Sequence, residues 1–213
     1  MSYLFSIFPQ LFAGMEVTFR LFLLTIVGSI PLGIILAFVL RSRSKIFKPI
    51  IQVYVWLMRG TPLLLQLIFV FYGLPLIGLV FDRFDAALVA FVFNYAAYFA
   101  EIFRGGIQSI PNGQYEAARV LRLSYGQTLR KIIIPQVVKI TLPSAGNEII
   151  NLVKDTSLVY ILGLQDVMRI GKVAMERDVS LVPLLGVGIM YLLMTAIFTL
   201  ILRTLEKRMD YYR

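Results

Sequence analysis

Five polar residues interrupt one otherwise apolar stretch of this chain: Asn147, Glu148, Asn151, Lys154 and Asp155. An ionisable group at the centre of a membrane helix costs about 2.5–3.5 kcal/mol on insertion scales, so such groups need a reason. Glu148, Asn151 and Asp155 are spaced i, i+3 and i+7 and therefore share one helical face. Two carboxylates and an amide suit an ammonium or guanidinium group. Lys154, or a backbone N–H, suits a carboxylate. The face is a candidate site for a cationic or zwitterionic solute; the alternative is an interhelical polar contact or an ion pair at the mouth of the span. Asp155, near the span boundary, also fits a gate or helix-end role, with Thr156 and Ser157 as caps of a following short helix. A second polar face holds Asn94, Tyr98 and Glu101 at i, i+4 and i+7. Tyr98 can stack on a solute or hydrogen-bond it. Glu101 has Arg104 three residues on, and Arg59 is its rival partner from another helix.

This chemistry is binding, not catalysis. Cysteine and histidine are both absent, which excludes disulfides, a thiolate nucleophile, an imidazole base and a Cys/His metal site. No metal ligand set and no cofactor of its own are expected. The only Gly-Lys pair, Gly171-Lys172, is followed by Val173, so no phosphate-binding loop is present.

The elements that carry these residues are membrane helices. Of 213 residues, 59% are hydrophobic and only 15% charged, and the mean hydropathy is +0.81. Soluble domains run at about 45–50% apolar and about 25% charged. Five segments approach the roughly 20 apolar residues needed to cross a bilayer: Val17–Leu40, Thr61–Phe81, Ala86–Phe103, Ile132–Tyr160 and Val182–Leu202. Met1–Glu16 reads as an interfacial or partly inserted lead-in. It lacks the basic start and small-residue cleavage site of a signal peptide. Gly60-Thr61-Pro62 breaks the chain before the second span and leaves a short helix over Ile46–Met58; the alternative is an extension of that span kinked at Pro62. Gly28, Gly33, Ala96, Ala97, Ala100, Ala145, Gly146, Gly186 and Gly188 suit close helix packing. Trp56, Tyr211 and Tyr212 read as interface anchors.

Charge sets the orientation. The sectors after spans one, three and five hold 14 basic residues against Glu116, Glu206 and Asp210. The other side holds Arg20, Arg83, Arg169, Lys172 and Arg177 against seven acids. The positive-inside rule then puts the N-terminus outside and the C-terminus in the cytoplasm. The net charge of +9 is accounted for in this way, without nucleic acid.

The loop of about residues 104–135 is the most informative. Pro111-Asn112-Gly113 is turn chemistry. Ala117, Ala118, Leu121 and Tyr125 then recur at helical spacing, opposite Arg119 and Arg122. This predicts an amphipathic helix outside the bilayer that either lies on anionic lipid or docks a cytoplasmic partner. Glu116-Ala117-Ala118, with Ile132-x-Ile134-Pro135 ending 19 residues on, resembles the EAA motif of ATP-binding-cassette importer permeases. Further blocks agree in order: Arg59-Gly60-Thr61-Pro62-Leu63-Leu64-Leu65-Gln66, Ala100-Glu101-Ile102-Phe103-Arg104-Gly105-Gly106-Ile107, Lys154-Asp155-Thr156-Ser157-Leu158 and Gly163-Leu164-Gln165-Asp166. Together they resemble the polar amino-acid branch, of histidine/glutamine/arginine type. Two positions depart from the pattern. Arg122 stands where the family has Gly, with Gly126 four residues later, and Ile134 replaces the usual Leu. Arg122 makes a left-handed turn there costly, or moves it.

The resemblance implies one permease domain over residues 1–213: an all-α integral membrane protein of five transmembrane helices with a cytoplasmic coupling loop between helices three and four. It implies ATP-Mg on a separate cytoplasmic ATPase dimer that receives Glu116, Ala117, Ala118, Arg119, Arg122, Gly126 and Pro135. It further implies a second permease copy or homologue, an extracytoplasmic solute-binding protein, and a place in a prokaryotic plasma membrane among its lipids. Glu148, Asn151, Asp155, Asn94 and Tyr98 would meet an amino-acid substrate, polar and tilted toward basic. The chain would be a transport subunit and not an enzyme. From the residues alone, two rivals stand: an ion- or proton-coupled secondary carrier using Glu148, and a non-transporting assembly subunit.

Overall fold

The computed structural model describes residues 2–209, and side chains from Ser6 onward. Tyr211 and Tyr212 lie outside the described residues, which contain helices and no strand. In chain order the α-helices are α1 (Ser2–Arg41), α2 (Phe47–Gly60), α3 (Leu63–Ile68), α4 (Arg83–Gln108), α5 (Asn112–Val120), α6 (Tyr125–Thr128), α7 (Ile134–Asp155), α8 (Val167–Asp178) and α9 (Val182–Met209).

Among the described residues, three helices are long and apolar enough to cross a membrane: α1 from Ser6, α4 and α9. The pair of Phe47–Gly60 and Leu63–Ile77, bent by 107° at its break, is a fourth candidate. Five uniform spans are therefore not what the described residues present. The expected fourth span divides into a π turn at Leu129–Ile133, α7, and a 3-10 helix at Thr156–Leu162. Its charge load, Lys139, Glu148, Lys154 and Asp155, keeps α7 from being apolar enough. The expected second span is also irregular. After α3 come a π turn at Phe69–Gly73 and a 3-10 turn at Leu74–Ile77, ending on Gly78 in the left-handed region. Fifteen helical residues rise only about 22 Å, short of the roughly 30 Å hydrocarbon core. The lead-in before Val17 is continuous with α1 despite Pro9 and Gly14, because its apolar face finds α8 and α9: Ile7 and Leu11 pack with Val167, Ala174, Val187 and Met190.

The main core joins α1, α4, α7, α9 and the 3-10 helix through Phe22, Phe91, Tyr95, Phe99, Leu152, Val159 and Met194. α1 and α4 run side by side in the same direction. Gly33 makes this possible: a Cβ there would stand 2.6 Å from the Phe99 Cβ and 3.1 Å from the Ala96 carbonyl oxygen. α9 follows α1, with the Phe198 ring 4.6 Å from that of Phe22. α7 runs the other way, starting against Ile107 and Ile110 at the end of α4. The bundle thus has a loop end, with α5 and α6, and an α8 end.

Candidate functional site

Where α2 stops, its last carbonyls lose their helical partners. Two buried amides from elsewhere satisfy them. Gln66 Nε2 donates to the Met58 carbonyl at 2.9 Å and to Thr61 Oγ1 at 2.8 Å. Asn94 Nδ2 donates to the same Met58 carbonyl at 3.0 Å and to Gln66 Oε1 at 3.0 Å. Thr61 Oγ1 in turn donates to the Leu57 carbonyl. Pro62 contributes no N–H, so the break is fully clamped.

Beside this clamp lies a cavity of about 450 Å³, lined by Asn94, Tyr98, Glu148, Asn151 and Asp155 together with Thr61, Tyr95 and Lys154. All five solute-site residues expected from spacing thus meet at one place, from α4 and α7. Their roles differ. Asn94 is buried and its amide hydrogens are held by the clamp. Asn151 stands beside the Glu148 carboxylate on the α7 face. Asp155 accepts from the Tyr95 hydroxyl at 2.7 Å. Lys154 is exposed at the same rim. At the other edge, Arg59 lies over the Tyr98 ring, 5.3 Å from its centroid, and 3.9 Å from Glu101. Glu101 is also paired with Arg104 through both carboxylate oxygens. The structure therefore contains both partners considered for Glu101, with Arg104 the closer. The cavity presents carboxylates from α7 and the Lys154 ammonium at its rim, which is complementary to a zwitterion.

Sequence reasoning missed Tyr95, Gln66 and Arg59 on Tyr98. A tyrosine inside an apolar helix needs a partner for its hydroxyl, and that requirement was a usable signal for Tyr95. Thr156 is not a cap: its hydroxyl donates back to the Val153 carbonyl, and α7 passes straight into the 3-10 helix. The cap lies further on, at Asp166, which accepts from the Met168 and Arg169 N–H groups.

At the loop end, α5 carries Glu116, Ala117, Ala118 and Arg119. Ala118 is buried, and the other three are exposed. Tyr125 is not on the same helix as Ala117. It opens α6, under the Ser124–Gln127 capping box. Val120, Leu121 and Tyr125 are 83, 69 and 71% exposed, so the apolar face of this loop is open. Gly126 and Pro135 are exposed as well. The left-handed turn does not move to Gly126. Arg122 itself takes it, with φ 55°. The N–H groups of Arg122 and Leu123 bond the carbonyls of Arg119 and Ala118, which closes a Schellman motif. Arg41 braces the loop from α1, donating to the Ile107 carbonyl at 3.2 Å under the Tyr115 ring. A hollow of about 400 Å³ lined by Arg41, Arg43, Tyr115, Glu116 and Arg119 opens beside it.

Residues 29–211 match the family model described as "Binding-protein-dependent transport system inner membrane component". The chain belongs to that family. This member is 37% identical over 203 residues to the arginine transport system permease protein ArtQ of Bacillus subtilis (strain 168), covering 94% of this chain and 93% of the relative. It is 33% identical over 204 residues to the glutamine transport system permease protein GlnP of Escherichia coli (strain K12), covering 94% and 93%. Among solved structures, an amino acid ABC transporter with histidines superposes with a TM-score of 0.87 at 33% identity, over 94% of both chains. The MetNI methionine ABC transporter, at 18% identity and a TM-score of 0.76, shares the fold. This chain is therefore an ATP-binding-cassette permease subunit of the membrane. Membership decides for the importer over the gradient-driven carrier.

Proposed function

We propose that this permease subunit passes polar amino acids, basic ones preferentially, through the cavity between α4 and α7. The reading rests on one observation: Glu148 and Asp155 face the same 450 Å³ space as Lys154, so an α-amino or guanidinium group and an α-carboxylate can both be met. Glu148, Asn151 and Asp155 hold the cationic groups, Tyr98 packs on the solute, and Asn94 keeps the α2 break in place beside it. The relatives transport arginine and glutamine by name, which supports the substrate class.

In this reading the chain crosses five times, as α1, the bent α2–α3 unit, α4, α7 with its 3-10 extension, and α9. The α8 end faces outside and the basic loop end faces the cytoplasm. The whole of residues 1–213 acts as one permease domain. Glu116, Ala117, Ala118, Arg119, Arg122, Gly126 and Pro135 form the coupling surface for a separate ATPase dimer, which carries ATP-Mg. A second copy or homologue completes the path, and an extracytoplasmic solute-binding protein delivers the solute.

The test is uptake into vesicles that hold the transporter with its ATPase. Glu148→Gln keeps the shape of the side chain and removes its charge. A charge-assisted hydrogen bond contributes about 1.5–3 kcal/mol, so the half-saturating concentration of arginine should rise by about one to two orders of magnitude, with a smaller change for glutamine. Equal uptake of both solutes by both proteins would remove Glu148 from the path.

A further inference from the structure

Two guanidinium groups converge on one glycine at the α8 end and find no carboxylate there. Gly163 ends the 3-10 helix with φ 80°. A Cβ placed on it would stand 3.0 Å from Arg83 Nη1 and 4.0 Å from Arg169 Cζ, so Arg83 from α4 and Arg169 from α8 flank the same bare backbone. Arg83 is exposed and makes no ion pair among the described residues. Arg169 Nη1 reaches only the Tyr160 carbonyl, at 3.4 Å, while its buried Nε has no partner. Lys172 adds a third cation, 5.1 Å above the Tyr160 ring and 3.9 Å from Glu176. The nearby acids do not neutralise the pair. Asp82 and Asp85 are exposed and bridge to neither arginine. The Asp166 carboxylate is turned to the N–H groups of Met168 and Arg169.

Side-by-side like charges of this kind call for an anion from outside the chain. We infer that Arg83 and Arg169, held at Gly163 beside Lys172, form a fork for acidic side chains on the extracytoplasmic solute-binding protein. This inference rests on the importer reading. Position argues for that partner. The 3-10 helix begins next to Asp155, lines the cavity with Leu158, and carries Tyr160 and Gly163 at its far end. A protein that releases solute into the cavity has to cover this segment, and carboxylates on its rim would meet the fork. Rim charges of this type act mainly on encounter rate and salt dependence.

Arg83 holds nothing else in place, so Arg83→Glu is the informative variant. The measurement is ATP hydrolysis by the transporter in vesicles, titrated with solute-loaded binding protein at low and high salt. Arg83→Glu should raise the half-saturating concentration of binding protein by about tenfold or more at low salt. The maximal rate and the hydrolysis without binding protein should stay as in the wild type. Raising the salt should weaken the wild type toward the variant. Stimulation with an unchanged half-saturation in Arg83→Glu overturns the fork alone. No stimulation of the wild type overturns the proposed binding-protein partner, and the fork with it. A third outcome is an Arg83→Glu effect seen in anionic but not in neutral phosphatidylcholine vesicles, with the binding-protein response unchanged. That assigns the cations to lipid headgroups and overturns the fork as well.

Discussion

The Tyr95 hydroxyl donates to Asp155 Oδ2 at 2.7 Å, tying the middle of α4 to the last residue of α7. The bond fixes the carboxylate that stands at the cavity rim, and it crosses 60 positions of sequence. Hydrogen bonds to charged groups contribute about 1.5–3 kcal/mol. Tyr95→Phe and Asp155→Asn should therefore be non-additive, with a coupling energy of about 1–3 kcal/mol in apparent thermal stability. Both single variants should also raise the half-saturating concentration of a basic solute. Additive losses in the double variant would show that the two side chains act independently.

Asn94 and Gln66 stand in a different relation to the cavity. Their amides are committed to the Met58 carbonyl and the Thr61 hydroxyl. Removing one donor leaves a buried acceptor short of partners, at a cost of about 1–3 kcal/mol. Asn94→Ala should lower thermal stability while leaving the half-saturating solute concentration of the surviving folded protein within about twofold. A shift in solute affinity with full stability would move Asn94 from the clamp to the solute.

The clamp marks the limit of what the residues disclosed. The break at Gly60-Thr61-Pro62 was legible because glycine and proline act locally. The α7 face was legible because Glu148, Asn151 and Asp155 follow the helical period. The irregular course of Phe69–Ile77 was missed although Gly73 and Pro75 mark it, since the apolar run around them carries no period that separates a π turn from an α-helix. The continuity of α1 from Ser2 was hidden for a related reason: its apolar surface gave no boundary, and the contacts of Ile7 and Leu11 with α8 and α9 are tertiary. Pairings such as Tyr95 with Asp155, or Arg83 with Arg169 at Gly163, depend on how helices approach one another, and spacing along the chain does not contain that.

Arg122 offers a test of the loop free of any partner. It holds the left-handed position of a Schellman motif with φ 55°, which costs a residue with a Cβ about 1 kcal/mol relative to glycine. Part of that gain is offset by the greater freedom of glycine in the unfolded chain. Arg122→Gly should raise the melting temperature by about 1–4 °C, and Arg122→Ala, which keeps the Cβ, should not. If the alanine variant is stabilised equally, the effect belongs to the lost charge in this basic loop and not to the backbone.

Asp166 carries the pH dependence of the α8 end. Its side chain is fully buried between the 3-10 helix and α8, and Gly14 of α1 packs directly on its backbone. Burial pushes its carboxyl up to about 6, against the opposing pull of the Met168 and Arg169 N–H groups and the nearby Tyr191 hydroxyl of α9. An acid whose folded value is raised is bound more firmly to its proton in the folded chain than in the unfolded one. This group therefore favours folding most below its unfolded value near 4. The advantage is lost as pH rises from about 4 to about 6, and little changes above that. Two units correspond to at most about 3 kcal/mol. Asn caps a helix as well as Asp does, and it carries no charge to bury. Asp166→Asn should thus flatten the stability profile between pH 4 and 6 and melt higher than the wild type at pH 7.5. Asp166→Ala should melt lower than Asp166→Asn at every pH, because it loses the cap. Thermal melts of the three proteins in one detergent across that range decide the matter: a wild-type profile that rises with pH, or an Asn variant no better than Ala at pH 7.5, would mean that the ionised carboxylate stabilises α8.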